Sequence, residues 1–131
     1  MLSHERNTAA SPERVWELYA SPELWKTWAP HVRSPQGLGE PEVRTGAHGS
    51  IRLGGAVPIP AEIVDVERPR MWSWKVGPVM LRHTVQPNAR GSRIGIRVEA
   101  PAGLELAMRI GYMPLVRLLL ANLARVAERS R

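Results

Sequence analysis

The sequence has no cysteine and no phenylalanine, one aspartate (Asp65), and lysine only at Lys26 and Lys75. Without cysteine there is no disulfide and no thiolate to act as nucleophile or metal ligand, and the redox compartment is left open. Without phenylalanine, and with five Trp and two Tyr as the whole aromatic complement, platforms for stacking nucleic-acid bases are scarce. The serines fall in caps and turns, so no Ser–His–Asp set can be assembled around Asp65. Glu62, Asp65 and Glu67 lie on one strand with mixed facing, which gives no close carboxylate pair for acid–base hydrolysis. Long apolar runs are missing as well. The longest, Leu118 to Ala121, is broken by Asn122 and flanked by arginines, well short of the roughly 20 residues of a membrane span. Residues 1–8 include His4, Glu5 and Arg6 and carry no secretory pattern. A cytoplasmic protein with no membrane span is expected, as a monomer or a homodimer.

What is present is an ordinary globular composition, 44% hydrophobic and 23% charged, in 131 residues. That length suits one domain over residues 1–131. The net charge of +6 is nearly all arginine. A basic chain suits nucleic acid, anionic lipid or an acidic substrate. Here the arginines are spread along the chain, with no block of like charge and no interleaving with aromatics. Nucleic acid is therefore not expected as a partner, and a basic surface touching nucleic acid or an anionic membrane stands as an alternative reading. His4, His31 and His48 show no metal-ligand spacing on one element. Gly54-Gly55 and Gly37-x-Gly39 lack the lysine and helix start of a phosphate loop. Neither metal nor cofactor is expected.

The centre of organisation is residues 12–28. Ser-Pro-Glu occurs twice, at Ser11-Pro12-Glu13 and Ser21-Pro22-Glu23. Serine caps, proline opens a first turn, and glutamate suits the positive end of the dipole. Two short tandem helices follow, near 12–19 and 22–28, carrying Trp16, Trp25 and Trp28. Residues 1–9 alternate as a first strand. Residues 29–50 are punctuated by Pro and Gly and read as loops with one strand near 40–45.

From Ser50 to Glu99 the pattern is strand-like: Ser50 to Leu53, a turn at Gly54-Gly55, then Val57 to Arg68. Prolines 58 and 60 place the start of that last run at an edge or a bulge. After a turn at 68–70, Trp72, Trp74 and Val76 share one face. After Gly77-Pro78, so do Leu81, His83 and Val85. A loop at 87–91 leads to Ile94, Ile96 and Val98. Short turns between successive strands give an antiparallel meander with one apolar face.

The cover for that face is the last segment. Leu104, Met108, Tyr112, Leu115, Leu119, Leu123 and Val126 recur at three- and four-residue steps, one stripe of an amphipathic helix of about 25 residues. Arg117 and Glu128 lie opposite, and Ile110 falls on the polar side. Pro114 removes the bond to residue 110, so a kink or a break is expected there. Spacing alone thus gives an α+β domain with helices on one face of an antiparallel sheet.

The stretch Ala10 to Glu13, Val15-Trp16, Pro22 to Trp25, and Trp28 before Pro30 resembles the start of the polyketide cyclase/dehydrase-like group. That group lies within the START and birch-pollen-allergen (Bet v 1-like, SRPBCC) superfamily. The resemblance extends over nearly the whole chain. It implies a helix-grip fold: a curved antiparallel sheet wrapped around a long C-terminal helix, two short helices after the first strand, and a cavity between sheet and helix. It also implies a function drawn from a group that holds enzymes, lipid carriers and receptors.

The residues facing that cavity are the candidate site. His83, on the apolar face between Leu81 and Val85, is the candidate proton-transfer group or ligand-orienting group; a core histidine satisfied by a hydrogen bond is the plainer alternative. Trp72 and Trp74 form either an aromatic wall for a flat ligand or ordinary core. Tyr112 is a polar contact for a ligand or a packed rim residue, and Met108 stands one turn before it. Arg52 and Arg109 suit a carboxylate at a cavity mouth, though solvated surface positions fit them better. The expected partner is a small hydrophobic or aromatic molecule, with a cyclase or dehydratase acting through His83 or Tyr112 as the alternative. Exposed Leu106 or Ile110 would mark a dimer patch.

Overall fold

The computed structural model describes residues 2–53 and 57–129. The expected turn at Gly54-Gly55 lies outside them. Seven strands form one antiparallel sheet: β1 (Leu2–Thr8), β2 (Val32–Gln36), β3 (His48–Leu53), β4 (Ile59–Glu67), β5 (Met71–Val76), β6 (Val79–Asn88) and β7 (Gly91–Glu99). Their spatial order is β1-β7-β6-β5-β4-β3-β2, so β2 to β7 run as a continuous meander and β1 closes onto the last strand. The sheet curves around the C-terminal helix, the helix-grip arrangement.

Helix α1 (Pro12–Ala20) follows β1 and is capped as its sequence dictates, with Ser11 Oγ accepting from the Arg14 amide at 3.2 Å. Val15, Trp16, Leu18 and Tyr19 are buried, while Glu13 and Glu17 face solvent. The second Ser-Pro-Glu start gives a 3₁₀ helix over Pro22–Thr27 rather than an α-helix. Ser21 makes no side-chain cap; its carbonyl instead accepts from the Leu24 amide at 2.9 Å. The tighter turn suits a piece only six residues long, pinned by Trp25 Nε1 donating to the Tyr19 carbonyl at 2.8 Å.

Three expectations need correction in the sheet. No strand forms at 40–45. The strand of this region is β2 at 32–36, and it lies at the sheet edge, where Pro35 costs no ladder bond. Residues 40–45 are held by loop bonds instead, Val43 N–H to Ala20 O at 2.9 Å and Arg44 N–H to Leu38 O at 3.1 Å, which bury Leu38 and Val43. Gly49 on β3 lets the end of β2 come close, because a Cβ there would collide with the Gln36 carbonyl oxygen. Second, β4 lies inside the sheet, not at its edge; Pro60 is tolerated because it is only the second residue of the strand. The bulge comes later, between Ile63 and Asp65. Third, the loop expected at 87–91 shrinks to a tight turn. Pro87 and Asn88 stay in β6, and Gly91, at φ 150°, opens β7.

The last segment is helical from Ala102 to Arg129, in three parts: α2 (Ala102–Ala107), a π-helical turn (Met108–Tyr112) and α3 (Met113–Arg129). The helix is not broken at Pro114. The Met113 N–H donates to the Met108 carbonyl, one residue wider than an α turn, immediately before the residue that has no N–H to give. The wide turn also rotates the apolar face. Met113, Val116, Leu119, Leu120, Leu123, Ala124 and Ala127 are buried. Leu115 and Val126 move to the flanks, and Leu104, at the head of the expected stripe, is exposed. Glu128 is not turned to solvent alone: its Oε2 accepts from Thr8 Oγ1 at 2.6 Å and from the Ala9 amide at 3.2 Å. By length and composition Ala102–Arg129 is apolar enough to cross a membrane, with a mean hydropathy of 1.3 over its most apolar window. Its α3 part packs against β1, α1 and β7, as a core helix does.

Candidate functional site

The sheet register assembles an aromatic cluster under the helix. Trp72 on β5 is directly opposite His83 on β6, and Trp74 is opposite Leu81. The two tryptophans sit two residues apart and so project to one face. The 3₁₀ helix lays Trp25 on top of them. Its ring stacks on Trp72, with centroids 5.5 Å apart and planes 8° from parallel, and meets Trp74 edge-on at 5.1 Å. His83 stacks on the other side of Trp72 at 4.0 Å and 13°. Tyr19 closes the cluster edge-on to His83 at 5.5 Å and to Trp28 at 5.7 Å.

The histidine is the expected core histidine in its hydrogen bonding and still borders a void. Its Nδ1 lies 3.2 Å from the Trp72 carbonyl oxygen. Burial pulls its pKa down to about 4, only partly opposed by that hydrogen bond, so the ring is neutral near pH 7. Burial lowers His31 as well. Tyr112, half-buried on the π turn, is pushed up to about 12 by burial.

Between sheet and helix there remains a void of about 30 Å³, bordered by Trp25, Trp72, Trp74, His83, Tyr112 and Leu119 among others. That is room for about one water. The expected cavity is thus largely filled by the protein's own tryptophans. A much larger concavity, about 1310 Å³, lies on the surface between the 3₁₀ helix, β2 and residues 37–41. It is an open groove of Pro, Gly and solvated charges that holds none of the aromatic cluster.

Among the described residues Trp72 Nε1, Trp74 Nε1 and His31 Nδ1, all of residues that border the void, are buried without a hydrogen-bond partner, as are Trp16 Nε1 and Arg14 Nε away from it. Each such group costs roughly 1–3 kcal/mol. By contrast Trp25 and Trp28 donate to the Tyr19 and Leu18 carbonyls at 2.8 and 2.9 Å.

Of the expected site residues, Trp72, Trp74, His83 and Tyr112 come together around the void. Met108 does not border it; it is half-buried one turn earlier. Arg109 is exposed and pairs with Glu105 at 3.7 Å. Arg52 is exposed on β3. The sequence reading overlooked Trp25, Trp28 and His31 as lining. The signal was present in three tryptophans on two helices too short to bury them among themselves. Among the described residues no three of His, Asp and Glu stand close enough to hold a metal ion.

Residues 2–128 match the family model described as "Polyketide cyclase / dehydrase and lipid transport". The chain belongs to this family. Its fold recurs in protein MLL2253 from Mesorhizobium loti (TM-score 0.79, 16% identity), over 99% of this chain and 98% of that one. It recurs in BH1534 from Bacillus halodurans (TM-score 0.73, 18% identity), over 95% and 94%. A third likeness is the Aha1 dimer from Colwellia psychrerythraea (TM-score 0.71, 12% identity), over 92% and 90%. At these identities the likeness is one of fold. No curated protein matches the chain by sequence.

Proposed function

We propose that this chain binds a small, flat, mostly apolar molecule bearing an acceptor oxygen, held between the sheet and the π turn of the last helix. The observation that carries this reading is the pair of unpartnered indole N–H groups, Trp72 Nε1 and Trp74 Nε1, beside a void walled by aromatic rings. A ligand carbonyl or ether oxygen would satisfy a donor that now has no partner, and Trp74, Leu81 and Leu119 would take the ligand's apolar body. In this reading Trp72, Trp74 and His83 form the wall and Tyr112 the movable roof, while Met108 stands one turn outside the void. Room is made by displacing Tyr112, which with Met108 is only half-buried against the core, on a stretch that has no fully buried residue.

Binding is favoured over a cyclase or dehydratase by the two proton-transfer candidates. His83 is shifted to about 4 and Tyr112 to about 12, each away from neutrality. General acid–base catalysis gains most from a pKa near the working pH.

The test is titration with 1-tetralone, an aromatic ketone, and with tetralin, its oxygen-free counterpart, followed by the indole N–H signals in a proton–nitrogen NMR spectrum. Trp72→Phe and Trp74→Phe assign the signals. Saturable movement of the Trp72 or Trp74 signal with the ketone, and weaker binding of tetralin, is the expected result. If neither signal moves with the ketone, or tetralin binds as well, the reading fails.

A further inference from the structure

His31 stands on the turn that joins the 3₁₀ helix to β2, closed by the Val32 amide donating to the Ala29 carbonyl at 3.0 Å. The residue is half-buried and borders the void together with Trp72 and Trp74. Its Nδ1 is the buried nitrogen and has no hydrogen-bond partner among the described residues. Burial lowers its pKa, so the ring is neutral near pH 7 and carries a single N–H. That hydrogen is held best on Nε2, the nitrogen not shut away from water, which leaves Nδ1 a bare acceptor.

The residues around the void thus carry unpartnered groups of opposite kinds. Trp72 Nε1 and Trp74 Nε1 can only donate, whereas His31 Nδ1 in that tautomer can only accept. The space they border is about 30 Å³, room for one oxygen-sized group. A carbonyl or ether oxygen answers an indole and leaves the histidine unsatisfied. A hydroxyl answers both, because its oxygen accepts while its hydrogen is given to the imidazole. The other two titratable residues on the void do not take this part. His83 Nδ1 is engaged by the Trp72 carbonyl, and Tyr112 is the residue that moves aside.

We infer that His31 is the specificity-determining residue of the void and selects an apolar alcohol or phenol over a ketone or ether. Its Nδ1 accepts from the ligand hydroxyl, whose oxygen in turn accepts from the Trp72 or Trp74 indole. The assignment rests on the binding role proposed for the void and names the oxygen group that role takes. A site presenting both a donor and an acceptor discriminates against a ligand that answers only one of them, since the other stays buried and unpaired.

The experiment compares 1-tetralol with 1-tetralone on the whole chain; the two share one bicyclic frame and differ in the hydroxyl. The indole N–H signals report entry into the void, and a long-range proton–nitrogen correlation reports the His31 ring, assigned with His31→Phe. The alcohol is expected to bind about tenfold tighter than the ketone and to move the His31 Nδ1 signal, which the ketone leaves in place. In His31→Phe the two compounds should bind within about twofold of each other, the ketone as it binds the parent. The comparison within the parent stands whatever His31→Phe does to stability, which urea unfolding measures. If the ketone shifts an indole signal but the alcohol binds no tighter, the inference is overturned and the void remains a binding site. The same holds if the alcohol leaves the His31 signal unmoved, or if its advantage persists in His31→Phe. If neither compound shifts an indole signal, the binding role of the void fails and this selectivity with it.

Discussion

The imidazole of His83 lies face to face with the indole of Trp72, ring centroids 4.0 Å apart, while His83 Nδ1 sits 3.2 Å from the carbonyl oxygen of the same tryptophan. Cross-strand pairing sets both contacts, since the two residues are direct partners in the β5–β6 ladder. The ring is therefore held in a dry site as a neutral group. In the unfolded chain it would take a proton near pH 6.5, and in the fold only near 4. Between those values the unfolded state binds more protons, so stability falls as the pH drops through this window and is fully present above it. The expected loss is about 3 kcal/mol between about pH 6.5 and about pH 4. Urea unfolding across that range should show a steeper decline for the parent than for His83→Gln. Equal slopes would mean that His83 is protonated in the fold as readily as outside it.

The Thr8–Glu128 hydrogen bond joins the end of the first strand to the end of the last helix, 120 residues apart in sequence. Thr8 is buried and its hydroxyl also accepts from the Ala10 amide at 3.2 Å. Thr8→Val and Glu128→Ala should each cost about 1–2 kcal/mol. The double variant should lose less than the two together, because each single change already removes the shared bond. Denaturant unfolding of the four proteins measures the coupling; strict additivity would show that the contact contributes nothing of its own.

The two tyrosines should respond unequally to loss of the hydroxyl. Tyr19 is buried and donates to the Gly95 carbonyl at 2.8 Å, so Tyr19→Phe should cost about 1–2 kcal/mol. Tyr112 makes no hydrogen bond among the described residues, and Tyr112→Phe should change stability by less than about 0.5 kcal/mol. A comparable loss at both positions, read from thermal or urea midpoints, would mean that Tyr112 holds a structural partner and would weaken its part as a movable roof.

Much of this was legible in the sequence, and the misses have identifiable causes. Alternation placed Trp72, Trp74, Leu81, His83, Ile94, Ile96 and Val98 on one face correctly, because a pleated strand leaves no choice of side once its register is set. Ser11 capped its helix, whereas Ser21 did not: with only six residues before the chain turned, a 3₁₀ piece pinned by the Trp25 indole won over a capped α-helix. The strand expected at 40–45 was lost to loop bonds from Val43 and Arg44, long-range partners that local pattern does not reveal. The apolar stripe of the last helix was drawn at uniform α spacing, and the π turn before Pro114 slipped it by a residue. Closure of the cavity was illegible for a related reason. It depends on Trp25 swinging from one element onto Trp72 in another, a tertiary contact with no periodic signature.

The two halves of the last helix should differ sharply in dynamics. From Val116 to Ala127, α3 buries six residues against the sheet and α1. From Ala102 to Tyr112 none is buried, and the wide turn at Met108–Tyr112 separates this overhang from the anchored part. A segment with little apolar burial opens at low cost, and the amides it carries exchange accordingly. Hydrogen exchange should therefore be at least about a hundredfold faster for Leu104 to Tyr112 than for Leu119 to Ala127. Because the overhang carries the roof of the void, an aromatic ketone that fills the void should slow exchange at Gly111 and Tyr112 first. Uniform protection along the whole helix in the free protein would show the overhang to be as firmly held as α3, leaving no route by which Tyr112 could move aside.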